Sequence, residues 1–79
     1  MNTSERTKQW AAQQFGIKPE EVAWYNSGSC YDRIGVTTKE AAEKVQEAVK
    51  GETANGGMLD GMPLGGFTQG KDGIFDVYC

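Results

Sequence analysis

The chain has 79 residues, of which 38% are hydrophobic and 10% aromatic, and it contains no histidine. A chain of this length builds one domain, here residues 1–79, and it leaves little room for a deep active-site pocket. The formal net charge of −3 argues against direct nucleic-acid binding, because phosphate contacts need a basic footprint.

The first predicted element is a helix over residues 3–15. Thr3 or Ser4 can cap its first turn, since both carry a hydroxyl that accepts a backbone N–H. Gly16 supplies the left-handed residue that commonly ends a helix. Trp10 stands on the partial apolar stripe of this helix and is expected in the core.

Two strands joined by a tight turn are predicted next, at residues 22–26 and 30–36. The first strand, VAWYN, is rich in strand-forming residues, and the Asn-Ser-Gly-Ser sequence after it favours a turn. On the second strand, Ile34 and Val36 share one face and are predicted to point into the core. Asp32 on that face then lies where the strand frays or where a site lies.

The clearest element is an amphipathic helix over residues 37–51. Thr37 followed by Glu40 predicts a capping box at its start, and Gly51 predicts its end. Apolar residues recur with the 3.6-residue period of one helix face at Ala41, Ala42, Val45, Ala48 and Val49. Because these residues are small, we expect the helix to lie close against a sheet.

A glycine-rich loop follows this helix. Five glycines and two methionines fall within residues 56–66, and such a loop can adapt to the surface of another protein. In the alternative interpretation, the loop covers the core and packs Met58, Leu59 and Leu64 inward.

A second hairpin is predicted from strands at residues 62–69 and 74–79. Its Gly-Lys-Asp-Gly turn resembles part of a phosphate-binding loop, but Asp72 stands where such loops carry the Ser or Thr that holds magnesium. No helix follows to supply the dipole that binds a phosphate. A hairpin turn is therefore the better interpretation.

The element order predicts an α+β fold, α-β-β-α-β-β, with a four-stranded and mostly antiparallel sheet. Both helices are expected on one face of this sheet. The other face is then partly open to a partner, and it is lined by some of Tyr25, Tyr31, Arg33, Asp76 and Tyr78.

The lack of histidine excludes Ser-His-Asp and Cys-His catalysis and every zinc site that uses imidazole. Cys30 and Cys79 are too few for a structural zinc site. We interpret both as unreactive thiols, and a disulfide between them or a nucleophilic Cys30 are the alternatives. No catalytic residue, metal or cofactor is therefore predicted.

The acidic residues are spread unevenly along the chain. Residues 1–51 hold seven acids and seven bases, whereas residues 52–79 hold four acids against Lys71 and so carry the whole net charge. An acidic surface suits a basic partner, although solubility alone also explains surface charge. The predicted partner-binding residues are Glu52, Asp60, Asp72, Asp76, Tyr31 and Tyr78.

Residues 29–36 (SCYDRIGV), the helix over residues 37–49 and the segment NGGMLDGMPLGG together resemble small proteins of bacterial viruses. In character the whole chain is similar to type I anti-CRISPR proteins, which are small, often acidic, single-domain inhibitors. The resemblance implies a non-enzymatic inhibitor that binds a CRISPR-Cas surveillance complex through basic Cas subunits and blocks its binding to target DNA. The alternatives are an accessory protein-binding adaptor and, less well supported, a cysteine-dependent enzyme.

The sequence also gives an expectation for the cellular compartment and the assembly state. The longest apolar runs are only a few residues, so no membrane-spanning segment is predicted. The first ten residues are polar and charged and lack the apolar stretch of a secretory signal. We therefore expect a cytoplasmic monomer, in the cytoplasm of the host cell if a virus encodes it.

Overall fold

Over the described residues the fold has two α-helices and four strands, with short 3-10 helices at Pro19–Glu21 and Gly57–Leu59. The α-helices and strands are α1 (Glu5–Phe15), β1 (Val22–Asn26), β2 (Arg33–Val36), α2 (Lys39–Ala48), β3 (Phe67–Gln69) and β4 (Phe75–Tyr78). The structure is a computed structural model that describes residues 3–28 and 30–79. Ser29, the last residue of the predicted first turn, lies outside the described residues.

The four strands form one antiparallel sheet in the order β1-β2-β4-β3. β4 therefore lies between β2 and β3, and Val77 stands opposite Ile34 on one side and Phe67 on the other. The predicted α+β class and the antiparallel four-stranded sheet are confirmed.

Both helices pack on the same face of the sheet and share one core with it. Ala11 and Ala12 come from α1, and Ala41, Ala42 and Val45 come from α2. From the sheet, Ile34, Val36 and Val77 are fully buried in the same cluster. The prediction that Ile34 and Val36 point inward is confirmed, and the alanines let both helices lie close to the strands.

α1 begins at Glu5, two residues later than predicted, and ends at Phe15 as predicted. The Ser4 hydroxyl accepts the Thr7 N–H at 3.2 Å, and Gly16 adopts a left-handed conformation with φ of 68°. The prediction of a buried Trp10 is wrong, because this residue is 48% exposed. One edge of its ring still contacts Tyr25, with the ring centroids 5.4 Å apart.

α2 is present, but its cap is one residue later than predicted. Thr38, not Thr37, accepts the Ala41 N–H at 3.1 Å. The Thr38 hydroxyl also donates to Glu21 over 3.1 Å and so ties the helix start to the turn before β1. Of the five predicted apolar positions, Ala48 is exposed and the other four are buried.

β1 has the predicted bounds, whereas the other three strands are shorter than predicted. Residues 62–64 of the predicted third strand pair instead with the loop after α2, where the Ala54 N–H donates to the Met62 carbonyl at 2.8 Å. Gly65 and Gly66 both bond to the backbone of Tyr78, at 2.7 and 3.0 Å, which is the two-against-one arrangement of a bulge.

The glycine-rich loop is ordered by backbone bonds, but it does not bury the residues expected to cover the core. Met58 is 101% exposed and Leu59 is 40% exposed. Within residues 56–66, Leu64 is half-buried and Gly65 is buried, and Ala54 just before the loop is buried as well. The interpretation in which Met58 and Leu59 pack inward is therefore wrong.

Within residues 3–28 and 30–79, no helix has the length and apolar character needed to span a membrane.

Candidate functional site

The side of the sheet that faces away from both helices carries a row of large polar and aromatic side chains. Strand pairing places Trp24, Arg33, Thr68, Asp76 and Tyr78 on this side. We call these five residues the open face. In β1 the pairing is irregular between Val22, which is in the core, and Trp24, and this irregularity turns Trp24 to the open face. The expectation that Tyr25 belongs to it is wrong: Tyr25 pairs with Ile34 and packs against the core under α1.

The Trp24 ring packs closely against the backbone of β2. Its cross-strand neighbour is Gly35, and a Cβ atom at Gly35 would overlap the indole ring. Glycine is therefore required where the ring approaches the strand so closely. The Arg33 guanidinium carbon lies 5.8 Å from the centroid of the same ring, within the range of a cation–π contact.

Arg33 and Asp76 form an ion pair across β2 and β4. Nε of Arg33 donates to Asp76 Oδ1 at 3.1 Å, and Nη2 donates to Oδ2. The hydrogen bond to Asp76 raises the pKa of the Arg33 guanidinium further above its ordinary value. Asp76 therefore lies at the predicted site, but its charge is neutralised within the chain.

Two tyrosines predicted to bind a partner are brought together at one end of the open face. The rings of Tyr31 and Tyr78 meet edge to face with centroids 5.2 Å apart. Beside them is a cavity of about 290 Å³, which we call the Tyr31 cavity. It is lined by Asn26, Gly28, Cys30, Tyr31, Arg33 and Leu59.

A second cavity, of about 200 Å³, lies at the opposite end of the open face beside the β3–β4 turn. We call it the Trp24 cavity. It is lined by Trp24, Thr68, Gly70, Asp72, Ile74 and Asp76. An indole ring and an aliphatic side chain thus meet two carboxylates in one small concave site.

The six predicted partner-binding residues divide into two groups. Tyr31, Tyr78, Asp76 and Asp72 lie on or beside the open face. Glu52 and Asp60 instead line a separate, shallow depression with Gly51, Thr53, Ala54, Asn55, Gly61 and Leu64. The structure therefore does not join the acids of residues 52–79 into one continuous surface.

Two of these acids also hold the local backbone. Asp60 Oδ1 accepts the Gly56 N–H at 2.8 Å, which closes the glycine-rich loop. Asp72 Oδ1 accepts the Ile74 N–H at 3.0 Å, which closes the β3–β4 turn. Replacing either residue by lysine would disturb a turn as well as reverse a charge.

Asp32, which the sequence placed at a fraying strand or a site, holds the β1–β2 loop together. Its Oδ2 accepts the Tyr25 hydroxyl at 2.5 Å, and its Oδ1 accepts the Gly28 N–H at 3.3 Å. Its carbonyl accepts the Cys79 N–H at 2.8 Å. Burial, reinforced by the bond to Asp32, raises the pKa of Tyr25.

The two cysteines line one shallow cavity together with Gly28, Tyr31, Asp32, Asn55 and Leu64. Cys79 is a free thiol in this structure. Burial, with the nearby carboxylates of Asp32 and Asp76, raises the pKa of Cys79 to about 12. Cys79 is therefore a poor nucleophile at neutral pH, because the thiolate is the reactive form.

Across the described ranges 3–28 and 30–79, no group of three or more Cys, Asp or Glu residues is arranged to hold a metal ion.

Trp24 and Arg33 lie at the centre of the site. Arg33 was expected among the residues of the open face, but neither residue was among the six predicted partner-binding residues. Strict alternation of VAWYN would put Trp24 on the same face as Val22, but the irregularity between these two residues in β1 places them on opposite faces. Gly35, a glycine inside a strand, was the signal that a large side chain packs closely over the backbone.

No protein-family model matches this chain, and no curated protein or solved structure shows significant similarity to it.

Proposed function

We propose that this protein is a non-enzymatic binding module that docks on a basic protein surface through its open face. The observation that carries the proposal is a sheet face that neither helix covers, with Trp24, Arg33 and Tyr78 on it and Tyr31 packed against Tyr78 at its end. Tryptophan, tyrosine and arginine supply most of the binding energy in protein interfaces.

The charge of the chain supports a basic partner. Residues 52–79 carry the whole net charge of −3, and two of their four acids, Asp72 and Asp76, lie at the open face. Complementary charge speeds association and selects against acidic partners. The ion pair of Asp76 with Arg33 leaves Asp72 as the uncompensated charge beside Trp24.

The glycine-rich loop, which borders the Tyr31 cavity through Leu59, extends the surface formed by the open face. Met58 is fully exposed, and Leu59 lines the cavity together with Tyr31 and Arg33. Methionine adapts its shape to an opposing surface, and exposed apolar groups next to aromatic residues are typical of contact sites. The docking surface therefore comprises the open face, Tyr31 and these two loop residues.

The resemblance to type I anti-CRISPR proteins gives this proposal its first partner to test. In that form, one monomer binds a basic DNA-binding subunit of a type I surveillance complex in the host cytoplasm and blocks target DNA. The runner-up is an adaptor that uses the same surface on an unrelated basic protein.

The test compares surface variants that leave the fold intact. Trp24→Ala and Tyr78→Ala alter the docking surface, whereas Gln13→Ala and Glu43→Ala alter exposed positions on α1 and α2. Each variant is titrated against a purified type I surveillance complex, and DNA binding by the complex is measured. Circular dichroism checks that all four variants remain folded.

We expect the original chain to inhibit DNA binding at a one-to-one ratio with its target subunit. The docking-surface variants should lose about tenfold or more in affinity, and the helix variants should not. If the unmodified protein does not inhibit DNA binding by the complex, the anti-CRISPR form of the proposal is wrong. Retrieval of another basic protein, lost in Trp24→Ala and Tyr78→Ala but not in the helix variants, would then favour the adaptor. Loss in the helix variants instead would contradict the docking surface.

A further inference from the structure

We propose that the Trp24 cavity receives a single lysine or arginine side chain of the partner protein. This inference rests on the proposed function, because it names the chemical group that the same docking surface recognises. The shape, the lining and the charge of the cavity each support it.

The walls of the cavity suit the aliphatic part of a long cationic side chain. Trp24 forms one wall and Ile74 contributes a second apolar surface, in a volume of about 200 Å³. Lysine and arginine bury their methylene groups on apolar surfaces and keep the charged end among polar groups. The indole ring is also the best aromatic partner for a cation.

The polar groups of the cavity suit the charged end of that side chain. Asp72 and Asp76 both line the cavity, Thr68 adds a hydroxyl, and the lining includes no basic residue. Asp72 Oδ1 accepts the Ile74 N–H, and Oδ2 accepts no hydrogen bond from residues 3–28 or 30–79, so it can contact a ligand. Among residues 3–28 and 30–79, Asp72 forms no ion pair.

Arg33 of this chain already contacts two groups of the cavity, the indole ring of Trp24 and the carboxylate of Asp76. Arg33 binds both oxygens of Asp76 and lies 5.8 Å from the Trp24 ring centroid, but it does not line the cavity. A partner cation in the cavity would contact the same indole ring and would add Asp72. The Tyr31 cavity offers a cation no such site, because it is lined by Arg33 and by no acid.

The cavity is formed before any ligand arrives. Trp24 is held against β2 because Gly35 leaves room for the ring, and Asp72 is held by the turn that it closes. A preformed site loses little conformational freedom when it binds, so even a small cation can be detected.

The experiment titrates the whole protein with small probes and follows the two indole N–H signals by NMR. The probes are the N-acetyl N-methylamides of lysine and of arginine, and the neutral control is the same derivative of norleucine. The chain has two tryptophans, so Trp10 on α1 is an internal control. We expect saturable shifts of the Trp24 signal with both cationic probes and none with norleucine.

A matched pair of variants tests the carboxylate. Asp72→Asn keeps an oxygen for the Ile74 N–H but removes the charge. Asp60→Asn is the matched control, because it keeps an oxygen for the Gly56 N–H and removes a charge in the distant glycine-rich loop. We expect Asp72→Asn to weaken binding of the cationic probes on the order of tenfold and Asp60→Asn to leave their binding unchanged. An unmoved Trp24 signal, equal shifts with norleucine, or equal effects of both variants would overturn the inference.

The outcomes also separate this inference from the proposed function. If the probes fail but Trp24→Ala still abolishes partner binding, the docking surface remains and the cation site is wrong. If the probes bind but Trp24→Ala and Tyr78→Ala leave partner binding unchanged, the cation site remains and the proposed function is wrong.

Discussion

The Tyr25 hydroxyl lies 2.5 Å from Asp32 Oδ2, and this contact joins β1 to the loop that precedes β2. The same carboxylate accepts the Gly28 N–H, and the backbone of Asp32 accepts the Cys79 N–H at the end of β4. One residue thus fixes the β1–β2 loop, which carries Tyr31 next to the open face.

Removing the Tyr25 hydroxyl should destabilise the protein through this contact. We expect Tyr25→Phe to lower the free energy of unfolding by about 1–2 kcal/mol, since it leaves a half-buried carboxylate with one partner fewer. Tyr31→Phe is the matched control, because its hydroxyl makes no hydrogen bond within the described parts of the chain. Urea unfolding of both variants measures the difference, and equal stabilities would contradict the role of Asp32.

The start of α2 gives a prediction that distinguishes two neighbouring threonines. Thr38→Ala should cost about 1 kcal/mol, because Thr38 caps the helix and also bonds to Glu21. Thr37→Ala should be nearly neutral, since the Thr37 side chain is exposed and does not cap the helix. Thermal unfolding of the two single variants checks this, and a larger cost at Thr37 would restore the cap that the sequence predicted.

The packing of Trp24 over Gly35 predicts a strong coupling between these positions. Gly35→Ala should cost about 1–3 kcal/mol, because the new Cβ atom would displace the indole ring. In a Trp24→Ala background the same substitution should be neutral or slightly stabilising, because alanine orders a strand better than glycine. A double-mutant cycle measures the coupling, and additive effects would show that the two residues are not in contact.

Stability should fall in alkaline solution through Cys79. Its pKa rises from an ordinary 9.0 to about 12 in the folded state, so the folded state holds a proton that the unfolded state releases. This contribution is fully present below pH 9.0 and is lost as the pH rises toward 12. The raised pKa of Tyr25 acts in the same direction.

The measurement is the free energy of unfolding of the original chain and of Cys79→Ala between neutral pH and about pH 11. We expect the original chain to lose more stability above pH 9.0 than the variant does. Parallel curves would show that Cys79 titrates normally in the folded protein. The same raised pKa predicts slow alkylation of Cys79 at neutral pH, measured by mass spectrometry against the urea-unfolded chain.

Much of the fold follows from local signals in the sequence. The periodicity around Val45 and the alternation at Ile34 and Val36 identified the buried faces, because a one-residue shift would expose them to water. Two threonines in succession made the α2 cap ambiguous, and only the contact of Thr38 with Glu21, far away in sequence, decides between them.

The candidate site was harder to predict, because it depends on contacts between distant strands. The excess of acids in residues 52–79 led to the prediction that all four form one surface. In the fold, Asp72 and Asp76 line the Trp24 cavity, whereas Glu52 and Asp60 lie on another surface. The fold also pairs Asp76 with Arg33, which lies 43 positions earlier in the chain. Composition reports how many charges a segment has, but it does not report which of them are already neutralised.

The central position of β4 has a consequence for how the nascent chain behaves on the ribosome. Until Phe75–Tyr78 emerge, β2 lacks its second neighbour and β3 has none, so the sheet cannot close over the two helices. Such distant pairing slows folding and leaves apolar strands open to misassembly. Chaperones that shield emerging polypeptides should therefore engage this protein until Phe75–Tyr78 have left the ribosome and paired with β2 and β3.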